Sequence, residues 1–382
     1  MCTLHVKMTA NIDIVVVGCI NSDLVSFVSR LPSAGETVFS SALESHFGGK
    51  GANQAAQAAL LRQSSTNAKV THECAFGTSQ QASDISSLEN GTAANGLNTS
   101  TCGVAMVGRV GRDTAGLSFL RHFHSLGIDT RGITIDPQAG TGTALVTVAN
   151  GGENTIAYMP GANALLNKEH ISAEPVLSLL GGAKVIVSEN GVPGSASVEC
   201  FRIAKKANAN VLTVFTPAPV DCVDPEICCF TDFLLCNSVE AKALVKAWDA
   251  EAAVTEADDE AHIARRLHEV MLRTASRFPE GVRGRANVVI TCGAHPCVIF
   301  ASGSAVKVPI AKHVPSEHVV DTTGAGDSFA GSFAHFLLQT PNSPETAVAK
   351  ATFVAAHSVT KKGAAESYAG RCELPDHLFQ PS

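Results

Sequence analysis

Short apolar runs alternate with longer stretches of small and helix-forming residues, and this alternation limits the chain to few folds. The predicted strands cover residues 12–17, 104–107, 185–188, 211–215, 233–235 and 288–291. The predicted helices cover residues 52–62, 115–126, 195–206, 239–247, 263–276, 328–338 and 344–358. Such a pattern is typical of a parallel sheet with helices on both faces. We therefore predict an α/β fold with three layers, α/β/α, around a doubly wound and mostly parallel sheet, with ligands beyond the C-terminal ends of its strands.

Two further segments predict a second, smaller sheet. Residues 143–149 and 154–159 flank an Asn-Gly-Gly-Glu turn, which is typical of a β-hairpin. Residues 37–47 alternate more weakly between apolar and polar side chains. We expect these pieces, within segments of about 21–46 and 133–160, to form a small β-sheet that acts as a lid.

The chain has 382 residues, enough for one large α/β domain or two ordinary ones, and we expect a single domain over residues 1–382. Residues 64–100 are rich in Ser, Thr, Asn, Gln and Gly. This composition predicts a flexible surface insertion that carries no chemistry. A second, acidic loop insertion is expected at about 249–260.

Composition excludes several classes of function. There are 28 basic and 35 acidic side chains, a net charge of −7, which disfavours nucleic acid as a partner. The apolar stretch of residues 12–20 is interrupted by Asp13 and Gly18, and it is too short to span a membrane. The twelve cysteines form no C-x-x-C pair and favour free thiols. We expect a soluble, cytoplasmic protein that does not bind membranes, with the nucleus left open as a compartment.

Residues 321–331 give the strongest local signal, Asp-Thr-Thr-Gly-Ala-Gly-Asp-Ser-Phe-Ala-Gly, followed by an apolar helix. Gly324, Ala325 and Gly326 have little side-chain bulk, so backbone N–H groups can converge on an anion at the start of this helix. Asp327 beside them can take a proton from a substrate hydroxyl. The alternative is that Asp327 only caps its helix.

A second glycine-rich segment, residues 48–54, reads Gly-Gly-Lys-Gly-Ala-Asn-Gln and opens another helix. It lacks the spacing of a phosphate-binding P-loop and of a dinucleotide fingerprint. Asn21 and Asp23 follow the first strand, and together with Lys50 and Asn53 they suit a polyhydroxylated ligand. An Asx turn is the alternative for Asn21 and Asp23.

Polar residues also follow three later strands. Asn237 and Glu240 stand three residues apart at a helix start, where they suit water and Mg²⁺ near nucleotide phosphates or, equally, a capping box. Glu189 follows the strand of residues 185–188 at the same edge of the sheet. The turn of residues 291–294 offers a place for a nucleotide.

Together these motifs, in this order, resemble the ribokinase family of carbohydrate kinases from about residue 12 to residue 367. Residues 31–37 and 161–164 are also similar to the family's lid segments. The resemblance implies one ribokinase-like kinase domain that transfers phosphate from ATP to O5 of D-ribose and gives D-ribose 5-phosphate. It also implies a homodimer that forms through the lid. Kinases for 2-deoxyribose or a nucleoside, and a sugar-binding protein without catalysis, stay open as alternatives.

The resemblance also implies a role for each matching residue. The sugar would contact Asn21, Asp23, Gly49, Lys50, Gly51, Asn53 and Glu189. Asp327 would be the catalytic base, and Gly324, Ala325 and Gly326 would form the anion hole. ATP would contact Asn237, Thr291, Gly293 and Gly326, while Glu240 would help to place Mg²⁺. A monovalent cation, usually K⁺, would lie near Asp321, Thr323, Ser358, Lys361, Gly363 and Ser367, several of them binding through backbone carbonyls.

Four positions depart from the family pattern. Thr216 replaces the usual Asn, Cys236 replaces Pro, Pro296 replaces Gly, and Thr352 replaces Asn or His near the adenine. Pro296 removes a backbone donor from the nucleotide turn. We expect altered nucleotide affinity rather than lost activity. A nicotinamide dehydrogenase, the alternative on such a sheet, would need a glycine fingerprint after the first strand, and that fingerprint is missing.

Overall fold

The computed structural model describes residues 11–63, 102–249, 258–278 and 283–380. In these parts the strands are β1 (Ile14–Val17), β2 (Asn21–Val28), β3 (Ser40–Gly48), β4 (Val104–Gly111), β5 (Asp129–Asp136), β6 (Gly142–Ala149), β7 (Asn154–Met159), β8 (Val185–Glu189), β9 (Leu212–Thr216), β10 (Phe233–Asn237), β11 (Asn287–Cys292), β12 (His295–Ala301) and β13 (Ser304–Val308). The helices are α1 (Lys50–Arg62), α2 (Thr114–Ser125), α3 (Lys168–Ile171), α4 (Val176–Gly182), α5 (Gly194–Ala207), α6 (Ser238–Trp248), α7 (Glu260–Ala275), α8 (Ala325–Gln339) and α9 (Pro344–Ser358).

Both predicted insertions fall largely outside these ranges. Residues 64–100 lie entirely outside the described part of the chain, as do residues 250–257 of the acidic stretch. The end of that stretch is described, and it begins a helix. Asp259 accepts a hydrogen bond from the backbone N–H of His262 and so caps α7, which starts at Glu260.

The large sheet contains nine of the described strands in the order β13-β12-β11-β10-β9-β8-β1-β4-β5. Strand β1 pairs in parallel with both β4 and β8, with Ile14 opposite Val104 on one side and Val185 on the other. Only β12 and β13, at one edge, run antiparallel to their neighbours. The predicted doubly wound and mostly parallel sheet is confirmed, and β1 lies where the order of strands reverses.

The side chains of β1 show why the fold has three layers. All four are fully buried, and they alternate between two separate hydrophobic cores. Ile14 and Val16 pack in a core with residues of α1, α8 and α9. Val15 and Val17 pack on the opposite face with residues of α5, α6 and α7. Because successive strand residues point to opposite faces, a fully apolar strand must have helices on both sides.

The small sheet has the order β3-β2-β6-β7. Its predicted hairpin is confirmed, since β6 pairs antiparallel with β7 and Thr143 lies opposite Met159. The predicted strand in residues 37–47 is also present as β3. The Asx-turn reading of Asn21 and Asp23 is wrong, because both residues lie on β2, which pairs with β3 and β6. Sequence patterns also missed β5, β12 and β13.

Part of this small sheet is strongly exposed. Every residue of β7 is exposed, and Leu43 on β3 and Ile156 on β7 keep 72% and 62% of their surface in solvent. Phe39, just before β3, is 92% exposed. Leu43 and Ile156 point to opposite faces of this sheet, and large apolar side chains exposed to solvent commonly mark a surface that another molecule covers. Within the described residues, no helix is long and apolar enough to cross a membrane.

A buried ion pair joins α5 to the start of β10. The Lys205 ammonium donates to the Asp232 carboxylate at 2.5 Å and to the carbonyl oxygen of Val211 at 2.8 Å. Asp232 also accepts from the backbone N–H of Thr213 at 2.9 Å. The side chains of Lys205 and Asp232 are only 3% and 1% exposed. Removal of Asp232 therefore leaves the Lys205 ammonium buried without an ionic partner, and removal of Lys205 leaves Asp232 with only the more exposed Arg285, 3.9 Å away.

We predict that Lys205→Met lowers the free energy of unfolding by at most about 3–5 kcal/mol, because the buried Asp232 then keeps only the partly exposed Arg285 as a cationic partner. Urea-induced unfolding followed by circular dichroism measures the change. Lys184→Met is the matched control, since Lys184 pairs with Asp13 at 2.9 Å but is 69% exposed. The control should cost less than about 1 kcal/mol. Equal losses in the two variants would contradict the prediction.

Candidate active site

Polar side chains gather at the C-terminal ends of the central parallel strands. Glu189 is the last residue of β8, Thr216 of β9 and Asn237 of β10. Helix α1 starts beside the end of β1, where the N–H of Ala52 donates to the carbonyl oxygen of Cys19 at 3.1 Å. This edge of the sheet includes the point where the strand order reverses, which is where ligands bind in doubly wound folds.

Asp327 lies on the first turn of α8 and is held by two side chains from α1. Asn53 Nδ2 donates to Asp327 Oδ2 at 3.1 Å, and Gln54 Nε2 donates to Asp327 Oδ1 at 2.9 Å. Gln54 Nε2 also lies 3.2 Å from Thr216 Oγ1. The side chain of Asp327 does not cap its own helix, which begins after Gly324 without a side-chain cap. The capping alternative for Asp327 is therefore wrong.

The environment of Asp327 makes its carboxylate more basic than an ordinary aspartate. Burial raises its pKa, and this effect outweighs the opposing effects of the Lys50 charge and of the bonds from Gln54 and Asn53. Asp327 is nevertheless only partly buried, so part of its surface stays accessible. A carboxylate that is both accessible and basic can accept a proton from a bound hydroxyl group.

The turn before α8 has the features that anion binding requires. Gly324 has a φ of 73°, a left-handed conformation that favours glycine, and its carbonyl oxygen accepts from the Tyr368 hydroxyl at 2.9 Å. The N–H of Ala325 donates to the carbonyl oxygen of Thr322 at 3.2 Å. Helix geometry leaves the next amides, those of Gly326 and Asp327, without acceptors inside the helix. The position of a side chain on Gly326 is open space, so an anion can approach these amides.

Lys50 connects the two sides of the site. It is the first residue of α1, and its charge is close enough to interact with Asp327, Glu189 and Glu240. Burial disfavours the charged ammonium, but these carboxylates outweigh burial and the pKa of Lys50 is raised. Lys50 is thus a cation among residues that the sequence assigned separately to sugar, catalysis and nucleotide.

Asn21 and Asp23 lie two residues apart on β2, so their side chains share one face of the small sheet. Asn163 Nδ2 donates to Asn21 Oδ1 at 2.8 Å, and the Tyr158 hydroxyl lies 3.4 Å from the same oxygen. Burial raises the pKa of Asp23 to about 6; the charges of Glu366 and Asp327 add to the rise, and those of His46 and Lys50 oppose it.

Glu189 completes this side of the site and is fully buried. It accepts from the N–H of Cys19 at 2.5 Å and from the N–H of Gly191. Burial nevertheless raises its pKa. Two glycines around the start of α1 allow this helix and the end of β3 to pack closely against their neighbours. A Cβ on Gly48 would overlap the Asp23 carboxylate, and a Cβ on Gly51 would lie 2.7 Å from the Cα of Gly18.

Sequence patterns missed three side chains that the fold places in this site. Gln54 was within the glycine-rich motif, but nothing marked it as a partner of Asp327. Asn163 was within the segment of residues 161–164, which is similar to the family's lid segments. That similarity gave Asn163 no role of its own. Tyr158 gave no signal, because its position near Asn21 depends on the pairing of β7 with β6 and of β6 with β2.

Asn237 and Glu240 form a reciprocal capping box at the start of α6. Asn237 Oδ1 accepts from the Glu240 N–H at 2.8 Å, and Glu240 Oε2 accepts from the Asn237 N–H at 2.9 Å. The capping alternative is therefore confirmed, and a nucleotide role for this pair stays a prediction. Asn237, Thr291 and Gly293 line a cavity of about 560 Å³ with Pro296 in its wall. A nucleotide fits within this volume.

The predicted cation residues lie on two segments that Asp321 joins. Asp321 Oδ1 accepts from the N–H of Thr323, and Oδ2 accepts from the N–H of Gly363, each at 2.9 Å. The ammonium of Lys361 pairs with Glu373 at 2.8 Å, so only the backbone of Lys361 is left as a cation ligand.

Two serines of the set donate to nearby carbonyl groups, Ser358 Oγ to Ala355 and Ser367 Oγ to Ala364. The donor atoms that Asp321, Ser358 and the 361–367 loop offer are thus carboxylate, hydroxyl and carbonyl oxygens. Oxygen donors of this kind fit K⁺, which proteins bind through backbone carbonyls.

Known proteins resemble this chain over most of its length. The sequence profile described as pfkB family carbohydrate kinase matches residues 68–369. Ribokinase from Mus musculus is 34% identical over 96% of this chain and 94% of the mouse protein. Deoxyribokinase from Salmonella typhimurium is 29% identical over 96% of this chain and 98% of that protein. The crystal structure of ribokinase from Thermotoga maritima superposes with a TM-score of 0.72 at 27% identity, and covers 95% of this chain and 97% of that one.

Fold, site and similarity therefore define a phosphotransferase that acts on carbohydrates. The match to the family profile extends over most of the chain, and the mouse relative matches nearly all of it. The chain belongs to the pfkB family of carbohydrate kinases, which use ATP. The resemblance predicted from the four ordered motifs is thereby confirmed.

The raised pKa of Asp23 predicts a pH-dependent gain of stability in Asp23→Asn. The folded pKa, about 6, lies above the ordinary value of 3.8, so the ionised side chain destabilises the folded state above pH 6. The full effect is about 3 kcal/mol at 1.36 kcal/mol per pKa unit. Urea unfolding at pH 8 should show a more stable variant by up to about this amount. The gain should shrink between pH 6 and pH 4 and vanish below pH 4. A variant less stable than wild type at pH 8 would contradict this.

Proposed function

We propose that this protein is an ATP-dependent ribokinase that phosphorylates D-ribose at O5 and releases D-ribose 5-phosphate and ADP. The position of Asp327 carries the proposal. Its carboxylate lies on the first turn of α8, beside the amides that an anion can approach, and Asn53 and Gln54 hold it near Lys50. A sugar-binding protein without catalysis would have no need for a basic carboxylate at a helix N-terminus.

Asp327 acts as the general base. It takes the proton of the ribose 5-hydroxyl while O5 attacks the γ-phosphorus of ATP, and the bond from that phosphorus to the β–γ bridging oxygen breaks. The raised pKa of Asp327 favours this transfer. The amides of Gly326 and Asp327 and the ammonium of Lys50 stabilise the charge on the transferred group, with Gly324 and Ala325 shaping the turn. Phosphoryl transfer depends mainly on such alignment and charge stabilisation.

The sugar lies between β2 and the start of α1. Carboxylate, amide and ammonium groups of five residues bind its hydroxyls as donors and acceptors, namely Asn21, Asp23, Lys50, Asn53 and Glu189. Gly49 and Gly51 let the backbone of α1 approach the sugar closely. Asn163 and Tyr158 orient Asn21, because the Asn163 amide and the Tyr158 hydroxyl both contact its Oδ1 atom.

ATP occupies the cavity beside β10 and β11. Asn237, Thr291 and Gly293 contact the nucleotide, and Gly326 contacts its phosphates. One carboxylate oxygen of Glu240 is used in the capping box, which leaves the other oxygen to orient a water ligand of Mg²⁺. Bound Mg²⁺ neutralises phosphate charge. Pro296 in the wall has no N–H to donate, so we expect an affinity for ATP different from that of relatives with Gly.

A K⁺ ion suits the oxygen atoms around Asp321 and the loop of residues 361–367. The residues that would hold it are Asp321, Thr323, Ser358, Lys361, Gly363 and Ser367. Bound there, K⁺ supplies positive charge next to the anion-binding turn. In this arrangement Asp321 links the cation loop to the turn through its bonds to Gly363 and Thr323.

Three compounds are candidates for the substrate that this kinase prefers. The Salmonella relative, a deoxyribokinase, matches nearly the whole chain, so 2-deoxyribose is the second candidate; a nucleoside is a further alternative. ADP release with D-ribose, 2-deoxyribose and adenosine, in Mg²⁺ and K⁺, tests this choice. The highest kcat/KM with D-ribose supports the proposal. The highest value with 2-deoxyribose or adenosine would overturn the assignment of D-ribose as the substrate.

We further propose a homodimer through the lid and a cytoplasmic location. The exposed apolar residues Leu43 and Leu145, which share one face of the small sheet, support the interface. Nine cysteines within the described residues are free thiols, namely Cys19, Cys200, Cys222, Cys228, Cys229, Cys236, Cys292, Cys297 and Cys372, which fits a reducing compartment.

We predict that Asp327→Asn lowers kcat by about 10²–10⁴-fold, because the amide cannot accept the proton of the 5-hydroxyl. Coupled measurement of ADP release gives kcat, and isothermal titration gives the affinity for D-ribose, which should change little. Asp376→Asn is the matched control, since Asp376 is exposed in the C-terminal segment, and it should keep wild-type turnover. Near-normal turnover in Asp327→Asn would refute the proposed role.

We also predict that Leu43→Asp dissociates the dimer. Leu43 is 72% exposed and points away from the face of the small sheet that carries Asp23, so a charge there disrupts the interface without entering the sugar site. Sedimentation velocity measures the mass of each species. Leu272→Asp on α7 is the control, because Leu272 is also exposed, at 49%, but lies outside the lid. A wild-type monomer, or a dimer that survives Leu43→Asp, would rule out this interface.

A further inference from the structure

We propose that His46 and Glu366 are positioning residues that hold the sugar-binding strands of the lid against the loop supporting the anion-binding turn. This inference rests on the proposed function and deepens it. It assigns a role to two charged side chains that contact neither the reacting atoms nor the nucleotide cavity. Through them, binding of the sugar and the geometry of the turn at Gly324 become coupled.

On the lid, His46 is a direct neighbour of the sugar site. It lies on β3 opposite Asp23 of β2, and the paired side chains point to the same face of the sheet. The charges of His46 and Glu366 both act on the Asp23 carboxylate. Any displacement of His46 therefore moves the strand that presents Asp23 to the sugar.

His46 and Glu44 join this part of the lid to a loop more than 300 residues later. His46 Nδ1 lies 3.1 Å from Glu366 Oε1 in that loop, and within β3 His46 Nε2 lies 3.0 Å from Glu44 Oε2. Lys362 in turn donates to Glu44 Oε2 at 3.1 Å and lies 4.8 Å from the ring centre of Phe27 on β2. Glu44, His46, Glu366 and Lys362 thus form one continuous chain of charges, which we term the lid latch.

The other end of the latch reaches the anion-binding turn. Glu366 lies in the loop of residues 361–368, which is bonded to the turn at two places. The N–H of Gly363 donates to Asp321 Oδ2 at 2.9 Å, and the Tyr368 hydroxyl donates to the carbonyl oxygen of Gly324 at 2.9 Å. A shift of the lid would therefore be transmitted to the backbone at Gly324, the residue that sets the start of α8.

The latch adds to the contacts that anchor the base of the small sheet, such as the stacking of Phe47 on His122 and the bond from Asn163 to Asn21. The outer strand of this sheet, β7, is exposed along its whole length. The side chains of His46 and Glu366 are 28% and 21% exposed, so their contact is more sheltered than an ordinary surface ion pair. A reacting group displaced by about 1 Å can cost a hundredfold in rate, so the angle of the lid affects catalysis directly.

The test starts with wild type and D-ribose, because absence of ADP release there would refute the proposed function and not the latch. His46→Ala and Glu366→Gln should then each raise the KM for D-ribose about tenfold, with a smaller loss of kcat. The double variant should be no worse than His46→Ala alone, since His46→Ala already removes the contact with Glu366. Glu153→Gln, an exposed carboxylate in the β6–β7 turn of the same lid, should leave KM unchanged. Effects that multiply in the double variant would overturn the proposal.

Coupling itself is measured by hydrogen-exchange mass spectrometry without nucleotide. D-ribose should protect the amides of residues 361–368 in wild type, and this protection should disappear in His46→Ala. A merely structural role would change exchange in the sugar-free protein but not remove the response to sugar. His46→Gln keeps one donor for Glu366 and should restore part of the response. Protection that persists in His46→Ala would show that the latch does not carry the coupling.

Discussion

The rest of the site depends on the contact between the first turns of α8 and α1. Two amide side chains, Asn53 and Gln54, donate to both oxygens of the Asp327 carboxylate. A carboxylate surrounded by protein is costly unless such bonds satisfy it, so the two helix starts are fixed relative to each other. This contact keeps the basic carboxylate beside the amides of its own helix and beside the ammonium of Lys50 on the other.

The parallel sheet supplies the frame for this contact. Because β1, β8, β9 and β10 run in the same direction, their C-terminal ends meet at one edge, and residues far apart in sequence share one cleft. Glycines then allow the close approach of α1, as at Gly51, where the backbone of Gly18 occupies the place of a side chain. The small sheet is joined to the loop of residues 361–368 by the contacts of His46 and Lys362.

Sequence patterns predicted the strands that are buried on both faces and the hairpin that has a typical turn. The strands of the central sheet are apolar along their length because both faces are buried, and the hairpin of β6 and β7 has a recognisable turn. Strand β2 was missed because it begins with Asn21, Ser22 and Asp23, short polar residues that are typical of turns. Only its pairing with β3 and β6 makes that segment extended. Strand β12 carries Pro296 near its start and gave no clear strand signal.

By itself, the sequence determined the fold class and the family, because apolar periodicity and glycine spacing are local properties of a chain. Tertiary structure decided whether a polar residue at a helix start caps its own helix or is held by another segment. Asp327 is held by α1 and does not cap its helix, whereas Asn237 and Glu240 do cap theirs. It also created the His46–Glu366 contact between residues 320 positions apart. The physical reason is that hydrogen-bond partners and burial are set by the packing of distant segments, which no local pattern records.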